Sequence, residues 1–132
     1  MCSTTNMTFA TNFQAAVINT ANTNLDGTGN ITGLITGAND GTLIRNVTIK
    51  AMQSTSIGMI RFFLYDPGPG AWFLYSEIVV PQTVQTGVVQ SFSTNFSEAI
   101  CLPSGYVLGV TTEVSESFSI TADGVSWTNC EC

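Results

Sequence analysis

The chain has 132 residues, three Lys and Arg against nine Asp and Glu, no histidine, and a formal charge of −6. Charged residues make up 9% of it, against about 25% in an ordinary soluble domain. So few cations exclude nucleic acid as a partner, since phosphate binding needs several Lys or Arg to release counterions. An anionic membrane surface is excluded on the same ground. The length suits one domain that can bury its own core.

Residues 1–12 are polar and read as an N-terminal arm, 13–128 as a β-sandwich domain, and 129–132 as a cysteine-containing tail. Phe13–Asn19 is the first predicted strand, followed by a turn-rich stretch from Ala21 to Asn30 and a second strand over Ile31–Thr36. Asn39-Asp40-Gly41 predicts a hairpin, because these residues tolerate the positive φ of tight turns. Val47, Ile49 and Ala51 alternate with Asn46, Thr48 and Lys50, the period of a half-buried strand, and adjacent Leu43 and Ile44 point to a bulge or strand-end shift. Gly58–Tyr65 is apolar on both faces, as in a central strand or one beneath a subunit contact. Asp66-Pro67-Gly68-Pro69-Gly70 is a turn. Strands are then expected over Trp72–Val80, Val88–Phe96 and Tyr106–Val114. A last hairpin is expected over Ser117–Ala122 and Val125–Thr128, turning at Asp123-Gly124.

These eight or nine short strands, with turn signals about every ten residues and no helical period, predict an all-β antiparallel sandwich of jelly-roll-like form. No apolar run approaches the roughly 20 residues of a membrane helix. The N-terminus has neither a basic nor an apolar leader region, so export by an ordinary signal is not expected.

Without histidine, the commonest general base and the usual Ser–His and Cys–His pairs are absent. Carboxylate chemistry is the remaining route, through Glu113 with Glu116 or Asp66 with Glu77; neighbourhood is all that favours either pair, and the chain is expected not to be an enzyme. Asn22, Asn24, Asp26 and Gly27 imitate the first half of a calcium loop, but Gly29 and Gly33 stand where a hydrophobe and a bidentate Glu belong. No cofactor or metal is expected. Cys2, Cys101, Cys130 and Cys132 lack zinc spacing; they suit a staple between the termini or between subunits, or remain thiols. Sequons at Asn6, Asn30, Asn46 and Asn95 reflect an Asn- and Thr-rich composition. Trp72, Phe73 and Tyr75, beside a Pro-Gly turn, form a candidate contact patch for protein or sugar.

The single Lys leaves strand edges without their usual protection, and a mean hydropathy of +0.28 suits a surface covered by neighbours. Two segments, 39–51 continuing into Gly58–Asp66, and Leu102–Glu113, resemble a group of small phage and prophage proteins. In that group "G-I-R-I-K-A", "G-M-I-R-L-F-I-Y-D" and "L-P-x-G-x-x-L-x-x-x-T" strands recur in this order. The resemblance covers about residues 37–125 and leaves the cysteine-bearing ends outside. It implies a virion structural protein with a β-sandwich fold, and it carries over no catalytic or ligand residue.

The expectation is therefore a capsid-decorating or auxiliary head protein, made in the host cytoplasm and carried in the virion. It would be a homo-oligomer bound to the major capsid protein or other virion proteins. A tail or fibre component, or a carbohydrate-binding module that recognises a host-surface receptor, is the alternative.

Overall fold

Alternation along residues 46–51 sends Val47, Ile49 and Ala51 to one side of a strand, where each is at most 1% exposed. Repeated along the chain, this pattern gives the architecture. The computed structural model describes residues 8–97 and 99–128. Its elements are β1 (Thr8–Ile18), β2 (Thr32–Thr36), β3 (Thr42–Ala51), β4 (Gly58–Asp66), β5 (Ala71–Val80), β6 (Ser93–Phe96), β7 (Ile100–Leu102), β8 (Val107–Thr112) and β9 (Phe118–Thr128). The fold is an all-β antiparallel sandwich. One sheet runs β1-β9-β3-β6, with β7 also beside β3, and the other runs β2-β8-β4-β5. Pairing is nested: β1 with β9, β2 with β8, β3 with β6 and β7, and β4 with β5.

Between the sheets, Ile44, Val47, Ile49, Ile120 and Ala122 of the first meet Ile60, Phe62, Leu108 and Val110 of the second, all fully buried. Phe62 and Phe96 bridge the sheets edge to face, with ring centroids 5.1 Å apart. The irregularity expected near Leu43 and Ile44 falls one residue later. The β3–β9 register shifts between Ile44 and Asn46, which leaves Arg45 exposed and returns Val47 to the core. The neighbouring edge is interrupted at the same level: β7 ends its pairing at Ile44 and β6 begins at Val47.

Several expectations need correction. Residues 8–12, read as part of an arm, belong to β1, where Thr8 pairs with Thr128. Polar side chains fill that end of the sheet: Asn12 donates to Ser126 Oγ at 3.2 Å, and the Ser126 and Thr42 hydroxyls lie 2.8 Å apart. The hydrophobic alternation that marks a strand is therefore missing there. Asp123-Gly124 is not a turn, because β9 passes straight through it. A Cβ on Gly124 would meet Asn12 O at 3.1 Å and Ile35 Cδ1 at 3.2 Å, so the glycine serves close packing rather than reversal. Asn39-Asp40-Gly41 does form a tight turn, with Gly41 N–H on Ala38 O at 2.9 Å and φ of 103°. It links the two sheets, however, since β2 and β3 do not pair. Val88–Phe92 is loop, with Val88 96% exposed, and only Ser93–Phe96 of the expected strand is regular.

The second sheet carries a covering on its outer face. Ala21 bridges Thr112, and Asn22 N–H donates to Thr112 O at 2.8 Å, so the chain between β1 and β2 runs beside β8. Gly27 lies against the Trp72 backbone, and Gly109 leaves room for the Trp72 ring and Ile31. A Cβ on Gly109 would stand 2.5 Å from Trp72 Cζ3. Gly109→Val should therefore destabilise the protein by about 1–3 kcal/mol through overpacking. Urea denaturation checks this, and an unchanged midpoint would contradict the packing described.

Candidate functional site

The expected contact patch divides. Trp72 is half-buried on the outer face of the second sheet, its ring centroid 5.2 Å from that of Tyr65. Phe73 and Tyr75 are 53% and 40% exposed, and Leu74 between them is 38% exposed. A register shift between Phe62 and Phe63 explains why three consecutive side chains reach solvent, because it disturbs strict alternation in β5 at this point. Val79, 63% exposed, lies further along the same strand. Trp72 thus fixes the strand, while Phe73, Leu74, Tyr75 and Val79 form its apolar surface.

β5 is a sheet edge, as is β1 of the other sheet. β1 has 11 residues and β5 has 10, and Glu77 is the single charged residue between them. Phe13 and Val17 of β1 are more than half exposed. Neither strand contains the Lys or Pro that commonly blunts an edge, and among the described residues neither pairs with a strand on its outer side.

Each acid of the two carboxylate pairs considered above has a partner of its own. Asp66 sits at the β4–β5 turn, where it accepts from Gly68 N–H at 2.9 Å, and Glu77 lies opposite Arg61. Burial pushes the Tyr106 phenol above its ordinary value, and the charge and hydrogen bond of Asp66 add to this. Glu116 accepts from Ser56 N–H at 2.9 and 3.1 Å, while Glu113 turns elsewhere. A different pair comes together instead. Arg61 Nε donates to Glu77 Oε2 at 2.9 Å, and Arg61 Nη2 donates to Glu113 Oε2 at 3.0 Å. Burial pulls the guanidinium down, and hydrogen bonds to Glu77 and Glu113 with their charges raise it above its ordinary value. Arg61 Nη1 and the neighbouring Thr111 Oγ1 are buried without a hydrogen-bond partner among the described residues.

This triad escaped the sequence reading because its members lie 16 and 52 positions apart. The available signal was an arginine inside a strand apolar on both faces, which needs an anionic partner wherever it is buried. The Arg61 side chain is 8% exposed, against 38% for Glu77 and 33% for Glu113. Unpairing the cation should therefore cost more than removing it. Glu77→Gln with Glu113→Gln is expected to cost about 3–5 kcal/mol, and Arg61→Met less, since its acids can take up water. Equal losses in chemical denaturation would contradict this ordering.

The calcium-like loop is occupied by its own hydrogen bonds. Asn22 Nδ2 donates to the carbonyls of Thr28 and Asn30 at 3.0 and 3.1 Å, directing donors where a cation needs oxygens. Asp26 accepts from the Thr28 hydroxyl at 2.6 Å and from its amide, which holds its carboxyl below the ordinary range. Among the described residues no cluster of three or more His, Cys, Asp or Glu is placed to hold a metal. Cys101, on β7, is disulfide-bonded; Cys2, Cys130 and Cys132 lie outside the described residues. No described helix is long and apolar enough to cross a membrane.

No protein-family model matches the chain, and no curated protein matches it. Among solved structures, it is similar to a chain of the acidic stable capsid structure of Helicobacter pylori bacteriophage KHP30. The match covers 92% of this chain and 98% of that one, with a TM-score of 0.52 and 8% sequence identity. At that identity the likeness shows a shared fold.

Proposed function

We propose that the protein is a phage virion structural component, a capsid-decorating or auxiliary head protein that acts by association without catalysis. The observation that carries this reading is the pair of long edge strands, β1 and β5, with one charge between them and exposed Phe13, Val17, Phe73, Leu74, Tyr75 and Val79. Edges of this kind are hazards in an isolated protein and ready contacts in an assembly. The similarity to a chain from a phage capsid structure supports the same reading, as does the nested strand pairing, which is what a jelly-roll winding requires. In this reading subunits associate with one another along an edge and with the major capsid protein of the shell.

Two measurements test it. Quantitative mass spectrometry of purified virions should find the chain in many copies per particle; its absence would overturn the proposal. Light scattering should give an oligomer, and Leu74→Lys, which places a charge on the β5 edge, should lower the mass while preserving the β-sheet circular dichroism. A monomeric wild type would remove the edge-pairing part of the account.

A further inference from the structure

One end of the sandwich carries an apolar surface that the strand edges do not include. The β3–β4 connection (52–57) and the β5–β6 connection (81–92) lie together there, and they expose Met52 53%, Ile57 74%, Val84 67%, Val88 96% and Val89 52%. A soluble loop has no internal use for a valine left almost wholly in water.

These loops are firmly held. Thr55 and Thr83 exchange both backbone hydrogen bonds at 3.0 Å. Beneath them a hydroxyl chain runs from Pro81 O through Thr55 Oγ1 at 2.7 Å, Thr83 Oγ1 at 2.7 Å and Ser91 Oγ at 2.8 Å to Gln53 O at 2.6 Å. Thr55 and Ser91 are each 4% exposed. Gln85 N–H donates to Ser54 Oγ at 2.8 Å, and the Thr86 hydroxyl accepts from the amides of Val88 and Val89. Three of the five exposed side chains sit on 81–92, and four are valine or isoleucine, whose rotamers are few. The surface is thus set before any contact, which lowers the ordering cost of binding.

Its rim is anionic. Glu116 is fixed on Ser56 N–H, Glu113 N–H donates to Met59 O, and Glu77 and Glu113 are each about a third exposed. The cations at this end are already engaged: Arg61 lies between Glu77 and Glu113, and the ammonium of half-buried Lys50 donates to Ser91 O at 3.1 Å. A second copy of the chain, with its formal charge of −6, offers the same anionic rim. Its remaining cation, Arg45, is paired with Asp123 on the first sheet. Charge therefore selects a different protein.

Resting on the capsid-associated reading above, we infer that the 52–57 and 81–92 loops form the docking knob of this protein, which inserts into an apolar, basic-rimmed socket on the shell-forming subunit. The β edges are left to contacts between copies.

The test is a co-sedimentation titration of the full chain on capsid shells of its phage assembled without it. The Val84→Ser, Val88→Ser, Val89→Ser triple variant should bind about 100-fold more weakly, the scale of one interfacial hot-spot cluster. Its thermal midpoint should change little, because the three side chains are each more than half exposed. A second variant, Val88→Lys, should bind more weakly still at low salt, and wild-type binding should weaken as salt rises. If wild type binds and the triple variant binds equally well, the knob is wrong while the functional reading stands. If the triple variant dissolves an oligomer of the free protein, the occupant is another copy and the inference is overturned. If wild type does not bind shells at all, the capsid-associated reading fails first and takes this inference with it.

Discussion

Along β4, Ile60, Phe62 and Leu64 face the other sheet, while Arg61 and Phe63 face away from it and are buried as well. A strand that is apolar on both sides cannot be half solvated, so the second sheet needs a cover on its outer face as well as a partner on its inner one. Much of the rest follows from that constraint. The chain between β1 and β2 crosses to β8 and is closed by Asn22; Gly27 and Gly109 give Trp72 the room to lie over the sheet. Arg61, the one charge taken into this layer, is held by acids from β5 and from the segment after β8, and so ties three strands together.

Much of what lies outside this construction is apolar or hydroxyl-bearing. Burial of Arg61, the Lys50 contact with Ser91 O and the pairing of Arg45 with Asp123 leave no cation to guard β1 or β5. Sheet edges and the valine-bearing loops therefore meet the surroundings as exposed apolar surfaces at different places on one sandwich. A small domain with two such surfaces would suit the association proposed above.

The sequence made the class of fold plain because strand alternation and Pro-Gly turns are local signals, as in residues 46–51 and 66–70. It misled where a local signal had a non-local cause. Gly124 looked like a turn residue, yet its role is set by Ile35 from the opposite sheet and by the bulge at Arg45. Residues 8–12 lacked a hydrophobic pattern because Asn12, Thr42 and Ser126 replace it with hydrogen bonds, and these partners are 30 and 114 positions away from Asn12. Val88-Val89 resembled the start of a strand, although no neighbouring strand is available to pair with it and Thr86 turns the chain. At the candidate sites, Phe73 and Tyr75 are exposed, while Trp72 packs against Gly109, a residue that carries no functional signal of its own.

The most direct test of association as the protein's function is amide hydrogen exchange on the isolated chain and on the same chain in purified virions. Association of this kind predicts added protection in the virion along the outer edge of β5 and in 81–92, with little change in β4 and β8, already protected in the free sandwich. Exchange that is identical in the two states, or protection confined to the Asn22 loop over the second sheet, would contradict it.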